Sequence, residues 1–255
     1  MDFVGLIPAA GMGRRLAPFR YPKELLPIAY EKVPGSDGDL RPRVISEYAI
    51  EALVRADVRR CLIIVAPWKI EVMNYFGDGS ELGLDIGYLY QEAARGLPHA
   101  IDLAYSWTKE CHTAFIMPDT YVLPHDCLLR LRTFYLNTKA DLALGLFPTK
   151  EAERLGPVVL DGERVVAVFD KCAKPPAQNT WGIAVWGPKF SELMHASIPR
   201  SDNTSPELVL GSYFQLAVQN GLAVRGLLFA EGSYADLGTP QGIHLCRELM
   251  RREEE

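Results

Sequence analysis

The chain has 255 residues, of which 48% are hydrophobic, and its formal net charge is −5. This size and composition predict one globular domain over residues 1–255, and the acidic balance argues against a nucleic-acid partner because no basic face offsets it. No apolar run reaches membrane-spanning length and no targeting segment precedes the first predicted strand, so we expect a cytoplasmic protein without a membrane partner. The five cysteines lack CxxC spacing and the five histidines form no zinc motif, so we expect reduced thiols and no zinc site.

The first predicted element is a buried strand over Phe3–Ile7, which Pro8 should end because proline cannot donate to a sheet. Ala9–Gly13 follows as a loop with little side-chain bulk, whose backbone N–H groups can approach a ligand closely. Four cations precede the first acid after this loop, namely Arg14, Arg15, Arg20 and Lys23. A small-residue loop followed by clustered cations favours a site for a polyphosphate.

Two common phosphate loops are excluded at this position. A P-loop requires Gly-Lys-Ser/Thr after its second glycine, but Arg14-Arg15-Leu16 stands there. The dinucleotide motif GxGxxG fails because Leu16 occupies the position of its third glycine. The GxG pattern alone is also compatible with an ordinary tight turn.

Periodicity and composition predict alternating strands and helices in the next part of the chain. The segment AYEKVPGSDGDLRPR, residues 29–43, is rich in Gly, Asp and Pro and is predicted to be a surface loop. The predicted elements that follow are a helix over residues 45–53, strands over Cys61–Val65 and Leu84–Gln91, a helix over Ala100–Glu110 and a strand over Ala114–Met117. This order indicates βαβ units and a parallel sheet. Ligands bind at the carboxyl edge of such sheets, where Gly11, Gln91 and Asp119 should meet.

The second half of the chain contains more predicted strands. These are Asp141–Phe147, a hairpin turning at Asp161-Gly162, Trp181–Trp186 and Leu222–Phe229. A helix is predicted to begin at Ser205 and to end before Gly221, and Thr239 should cap a last helix. The added strands suggest a small β subdomain built onto the first half.

The string IPAAGxGxR, followed closely by PKELLPI, resembles the signature of the sugar-1-phosphate nucleotidylyltransferases, particularly the UTP–glucose-1-phosphate uridylyltransferases. The resemblance implies an α/β fold with a Rossmann-like, mostly parallel sheet, helices on both faces and a small sugar-side β subdomain. It divides the chain into a nucleotide-binding half, about 1–140, and a sugar-binding half, about 141–255. It makes Arg15 and Lys23 catalytic. It assigns nucleotide binding to the loop residues Ala10, Gly11, Met12 and Gly13. Compared with the family, Tyr30–Arg43 is an insertion, either a lid or a passive surface loop.

Further sequence motifs extend the resemblance to the base-binding site and the metal-binding site. QEAARGLPHA, residues 91–100, is similar to the family's Q…GLGHA segment, in which Gln91 and Gly96 would hold the pyrimidine base. An amide offers one donor and one acceptor, which suits uracil or thymine. MPD and YADLGT resemble the family strings whose aspartates, here Asp119 and Asp236, bind Mg²⁺. A helix cap is the alternative role for each aspartate.

The sugar-phosphate site implied by the resemblance consists of Gly156, Asp170 and Lys171. Here Asp170 replaces the family's glutamate and Cys172 its proline, and Lys174 offers a competing register for the lysine. Arg14 replaces a threonine or serine, and Gly211 also departs from the family pattern.

The resemblance implies a Mg²⁺-dependent enzyme whose partners are a nucleoside triphosphate, UTP or dTTP, and a sugar 1-phosphate. The shortened loop and the Arg14-Arg15 pair also resemble cytidylyltransferases that use CTP and an alcohol phosphate. A non-catalytic homologue that binds nucleotide sugars is the other alternative. The sequence leaves open whether copies of the chain associate as a homo-oligomer.

Overall fold

The computed structural model describes residues 2–33, 35–199 and 209–254. Its strands are β1 (Phe3–Pro8), β2 (Pro27–Lys32), β3 (Leu40–Val44), β4 (Arg60–Val65), β5 (Asp85–Tyr90), β6 (His112–Ile116), β7 (Thr120–Leu123), β8 (Leu142–Pro148), β9 (Val158–Asp161), β10 (Arg164–Val168), β11 (Asn179–Trp186), β12 (Val224–Leu228) and β13 (Ser233–Asp236). Its helices are α1 (Glu47–Arg55), α2 (Ile70–Phe76), α3 (Leu97–Asp102), α4 (Tyr105–Thr108), α5 (Cys127–Thr138), α6 (Pro188–Ser197), α7 (Leu210–Gln219) and α8 (Pro240–Glu254).

A nine-stranded sheet with the order β5-β4-β1-β6-β11-β8-β12-β10-β9 runs through the whole fold. The first four strands in this order are mutually parallel, and β8 and β12 are parallel to each other. Strand β11 lies antiparallel between β6 and β8, and so joins the two halves of the chain in one sheet. The predicted α/β fold is confirmed, and the strands expected on the sugar side continue the central sheet.

Alternation along the strands divides the core into two layers. On β1, Leu6 packs into the layer covered by α3, α6 and α7, whereas Ile7 packs into the layer covered by α1, α2 and α5. Neighbouring residues of β4 divide in the same way, because successive side chains of a strand point to opposite faces. Helices therefore cover both faces, as the buried apolar strands require.

The loop predicted for residues 29–43 is wrong in part. These residues lie mostly in an antiparallel hairpin of β2 and β3, in which Tyr30 pairs with Pro42. The Gly and Asp residues that suggested a loop are concentrated in the turn, where Gly35 and Gly38 have positive φ. Composition averaged over the segment hid the two short strands that flank this turn.

The helix predicted over Ala100–Glu110 is divided in two. The N–H of Ala104 bonds to the carbonyl of Ile101 at 3.0 Å, a tighter three-residue closure that ends α3, and α4 begins at Tyr105. The hairpin at Asp161-Gly162 and the end of α7 before Gly221 are confirmed, with both glycines at positive φ. The predicted helix start at Ser205 lies outside the described residues.

A small two-stranded ribbon, β7 with β13, lies beside the main sheet. The sequence patterns missed it because its strands are four residues each and come from distant parts of the chain. Helix α8 packs on this ribbon through Cys246 and Leu249, around the buried Tyr121 and Leu237. Within the described residues, no helix combines the length and apolar character needed to cross a bilayer.

Candidate active site

A cavity of about 720 Å³ opens at the carboxyl edge of the parallel strands. Nine of the residues predicted for the site line it, namely Ala10, Gly11, Met12, Gly13, Arg15, Lys23, Gln91, Gly96 and Lys171. The loops after β1 and β5 meet there because parallel strands end at the same edge of the sheet. The structure thus brings Gly11 and Gln91 to one cavity, whereas Asp119, expected at the same edge, is not part of the described lining.

The charged side chains that line the cavity are cations, and two of them, Arg15 and Lys23, are paired with carboxylates outside the lining. The lining includes the cations Arg14, Arg15, Lys23, Arg95 and Lys171. In the part of the chain that the structure describes, no Asp or Glu belongs to this lining. A cavity lined in this way attracts a multiply charged anion.

The loop after β1 presents its main chain to this cavity. The N–H of Ala9 bonds to the carbonyl of Ile64 at 2.7 Å, which ties the start of the loop to β4. A Cβ at Gly11 would meet no atom within 4 Å, so the backbone there faces open space. Gly13 has a φ of 63°, a conformation that glycine adopts without strain. The loop can therefore approach a ligand closely.

Lys23 and Asp119 form an ion pair at the base of the cavity. Asp119 follows β6 directly and is 3% exposed, and the Lys23 side chain is 11% exposed. Burial raises the pKa of the Asp119 carboxyl, but the charge and hydrogen bond of Lys23 and the charge of Arg15 together lower it further, so the pKa lies below its ordinary value. The pKa of Lys23 is raised in turn, because Asp119 and Glu24 outweigh the effect of burial. Both side chains are therefore charged at neutral pH.

Arg15 and Asp236 form the second pair. The guanidinium donates from Nη1 to Oδ2 at 2.5 Å and from Nη2 to Oδ1 at 3.3 Å. Burial lowers the pKa of Arg15, but the Asp236 carboxylate more than offsets this effect. Arg14 instead donates to the sulfur of Met12 at 3.4 Å, although both arginines are exposed. The two neighbouring arginines thus have different surroundings, and only Arg15 reaches a carboxylate.

The two carboxylates converge beside Gly238. A Cβ built there would lie 2.5 Å from Oδ2 of Asp119 and 2.9 Å from Oδ1 of Asp236. The β7–β13 ribbon causes this convergence, because it pairs Asp236 with Thr120, the neighbour of Asp119. Hard carboxylate oxygens around one small cradle are the donors that Mg²⁺ prefers. No cluster of three or more Asp, Glu, His or Cys side chains suited to a metal occurs in the described ranges, so phosphates and water would complete the coordination of an ion here.

The helix-cap alternative does not describe Asp236. Thr239 caps α8, since its Oγ1 accepts the N–H of Gly242 at 3.0 Å. Within the described part of the chain, the Asp236 carboxylate accepts only the N–H of Gly238, at 2.9 Å, besides its bonds from Arg15. Its charge therefore faces Arg15 and the cradle at Gly238.

Gln91 is 8% exposed and lines the cavity just beyond β5. Its backbone N–H bonds to the carbonyl of Val65 at 2.8 Å, which fixes the position of the residue. Among the described residues its side-chain amide makes no hydrogen bond, and the amide is not one of the fully buried unpaired groups. The amide is therefore available to a ligand in the cavity.

The predicted sugar-phosphate residues are only partly brought to the cavity. Lys171 lines it, whereas Lys174 is absent from its described lining, which favours the Lys171 register. Asp170 is exposed and, like Gly156, lies outside the cavity lining that the structure describes. A Cβ at Gly156 would clash with the Trp181 indole, so packing against that ring explains this glycine.

Arg95, Gly238 and Lys69 are among the residues near the cavity that were not predicted. Arg95 and Gly238 lie within the two motifs that resemble the family, but the resemblance assigns roles only to their neighbours Gly96 and Asp236. Lys69 is buried beneath the glycine loop and bonds to Glu24 and Ala9. A lysine just before an amphipathic helix gives no local signal of burial, because its partners are distant in sequence.

Comparisons with known proteins show what the chain as a whole is similar to. A family model described as nucleotidyl transferase matches residues 4–252. The low-salt glycan biosynthesis nucleotidyltransferase Agl11 of Haloferax volcanii is 23% identical over 98% of this chain and 66% of its own. The glucose-1-phosphate thymidylyltransferase of Streptomyces antibioticus is 26% identical over 91% of this chain and 62% of its own. The chain thus spans somewhat less than two thirds of the length of these relatives.

A solved structure of a proposed glucose-1-phosphate thymidylyltransferase from Bacillus anthracis, in complex with a sucrose, has a similar fold. Its TM-score to this chain is 0.84, at 20% sequence identity, over 98% of this chain and 96% of that one. At this level of identity the likeness establishes the fold.

Proposed function

Because this chain belongs to the nucleotidyl transferase family, we propose that it transfers the nucleotidyl group of a nucleoside triphosphate to a sugar 1-phosphate and releases pyrophosphate. The observation that carries the proposal is the charge arrangement of the cavity. Five cations line it, and two carboxylates stand beside Gly238, each paired with one of these cations. A triphosphate and a sugar phosphate supply the negative charge that such a wall would bind.

In this reaction an oxygen of the sugar phosphate attacks the α-phosphorus, the bond from that phosphorus to the bridging oxygen breaks, and pyrophosphate leaves with the electron pair. Such a transfer needs alignment and charge neutralisation more than covalent help. We assign Arg15 and Lys23 to the triphosphate and the leaving group, and Lys171 to the attacking phosphate. The Ala10–Gly13 loop would hold the phosphates through its backbone N–H groups.

Asp119 and Asp236 would hold Mg²⁺, since their oxygens surround the cradle at Gly238. When bound, the ion would supply fixed positive charge against the phosphate oxygens. In the structure Lys23 and Arg15 neutralise these carboxylates, and with a metal ion held there both cations would be available to the phosphates. Lys23 and Arg15 would thus exchange their carboxylate partners for phosphates without leaving a charge unpaired.

The free amide of Gln91 supports UTP or dTTP as the donor, because uracil and thymine present the same donor and acceptor groups to an amide. Gly96, next to Arg95 in the lining, would contact the same base. Gly156 and Asp170 remain proposed sugar-side residues that would approach the substrate from beyond the cavity. All five cysteines are free thiols, which supports a cytoplasmic location for the reaction.

A screen of pyrophosphate release tests the proposal. UTP, dTTP, CTP, GTP and ATP are each combined with Mg²⁺ and with a panel of sugar 1-phosphates and alcohol phosphates. We expect release with UTP or dTTP and a sugar 1-phosphate, and its loss in Asp119→Asn. Release only with CTP and an alcohol phosphate would overturn the proposal in favour of a cytidylyltransferase. Nucleotide binding without release under any combination would identify a non-catalytic homologue.

A further inference from the structure

A second ion pair lies buried beneath the glycine loop, between Lys69 and Glu24. The two residues are 3% and 1% exposed, and Nζ of Lys69 is 2.7 Å from Oε1 of Glu24. Nζ also donates to the carbonyl oxygen of Ala9 at 2.7 Å. Lys69 therefore bonds to two segments that the chain separates by fourteen residues.

Both segments belong to the wall of the cavity. Ala9 immediately precedes the Ala10–Gly13 loop, and Glu24 immediately follows Lys23 in one turn of 3-10 helix. The main chain of Glu24 is also held, since its carbonyl accepts the N–H of Ser46 at 3.1 Å and the hydroxyl of Ser46 at 2.7 Å. One ammonium thus fixes the start of the loop relative to the turn that carries Lys23.

Stability of the fold does not account for this pair. Removing two charges from water costs about as much as their attraction returns, and an apolar pair of similar volume is often as stable or more so. The pair is also incompletely satisfied, because Oε2 of Glu24 is buried and has no partner among the described residues. An apolar pair could supply neither the hydrogen bond to the Ala9 carbonyl nor the ion pair that orients Glu24.

We propose that Lys69 is a positioning residue for nucleotidyl transfer: through Ala9 it sets the glycine loop, and through Glu24 it aims Lys23 at the polyphosphate. The proposal rests on the function proposed above. It also accounts for the alternation of charge along the row Asp119, Lys23, Glu24 and Lys69, in which ion pairs hold both Lys23 and the residue next to it in place.

The experiment compares Lys69→Met, Glu24→Leu and the double variant with the wild type. Each single change leaves one buried charge unpaired and should lower the Tm strongly, whereas the double variant should recover most of that loss. We expect the double variant to remain about 10- to 100-fold below the wild type in kcat for pyrophosphate release, because small misplacements of catalytic groups have effects of this size. Its affinity for UTP or dTTP, whichever the wild type binds more tightly, should also fall in calorimetric titrations.

Glu47→Gln is the matched control. Glu47 is 4% exposed and accepts hydrogen bonds from Arg41 and Tyr75, but it contacts neither the glycine loop nor Lys23 among its described bonds. The Glu47→Gln variant should have a lower Tm than the wild type, yet the same kcat and nucleotide affinity.

Recovery of kcat together with Tm in the double variant would show that the pair is only structural, and so would an equal loss of kcat in Glu47→Gln. Failure of the wild type to release pyrophosphate would refute the proposed function instead. Nucleotide affinity would then still decide on Lys69: a loss in the double variant but not in Glu47→Gln supports the proposal, and equal affinities overturn it.

Discussion

Gly238→Ala places one methyl group at the point where the candidate metal ligands meet. The added Cβ would lie 2.5 Å from Oδ2 of Asp119, 2.7 Å from Nη2 of Arg15 and 2.9 Å from Oδ1 of Asp236. All three separations are shorter than carbon tolerates, so the carboxylates and the guanidinium must move apart. The backbone of Gly238 does not require glycine, because its φ lies outside the left-handed region. The perturbation therefore acts on the site and leaves the main chain unstrained.

The expected magnitude follows from these overlaps. Relief requires shifts approaching 1 Å in catalytic groups, and displacements of that size lower rates by about 10²-fold. We expect kcat for pyrophosphate release to fall by this factor, and the free energy of unfolding to fall by about 1–3 kcal/mol, as for other overpacked sites. Nucleotide affinity should change less, because the base and the Ala10–Gly13 loop are untouched.

Steady-state kinetics over a range of Mg²⁺ concentrations, with thermal melting in parallel, measure both effects. Gly11→Ala provides the contrast, since its Cβ meets no protein atom within 4 Å. We expect it to keep its Tm but to raise the KM for the nucleotide, because the methyl group would occupy space meant for the ligand. A near-normal kcat in Gly238→Ala, at a Tm showing that the methyl is accommodated, would refute the role given to the cradle.

Three further predictions concern charged and polar groups of the cavity. Arg15→Ala should lower kcat by about 10²–10³-fold, the usual loss for one preorganised donor, and far more than Arg14→Ala. Equal losses of kcat in side-by-side kinetics would show that the catalytic role was assigned to the wrong arginine. Gln91→Ala should flatten the preference among nucleotides by about 1–3 kcal/mol in calorimetric titrations, since a buried base edge loses its partner, and an unchanged ranking would remove Gln91 from the base site. Asp119→Asn and Asp236→Asn should each nearly abolish turnover, weaken nucleotide binding less and require higher Mg²⁺. Their double variant should be little worse than either, because residues that act as a unit are not additive; full additivity would contradict a shared ion.

Local patterns predicted the fold wherever an element carries its own signal. The apolar runs of β1 and β4 are buried on both faces, and the turn at Asp161-Gly162 needs positive φ at Gly162, so these could be predicted from a few adjacent residues. The β7–β13 ribbon could not, because its strands are too short to show a period and pair across more than a hundred positions. The hairpin of β2 and β3 was hidden for a related reason, since its turn dominated the composition of the segment.

The candidate site likewise contains residues that local patterns could predict and contacts that they could not. Gly11 and Gln91 could be placed together from the order of strands alone, because parallel strands end at one edge. The family resemblance pointed to Asp119 and Asp236, but it did not predict their ion-pair partners. The pair of Arg15 with Asp236, for example, joins residues 221 positions apart. Lys69 had no signal at all, since its role depends on Ala9 and Glu24 lying together above it.

The arrangement of ion pairs also bears on the order in which charges can move. Asp119 is 3% exposed, so turning Lys23 toward a phosphate without replacing it would leave a buried carboxylate unpaired, at a cost of several kcal/mol. The same movement is easier at Asp236, whose side chain is 21% exposed and can be hydrated. Release of Lys23 would therefore need another cation to take its place at Asp119, whereas Arg15 would leave Asp236 more freely. We therefore expect a nucleotide added together with Mg²⁺ to free Lys23 for the phosphates, and a nucleotide added without Mg²⁺ to leave Lys23 paired with Asp119.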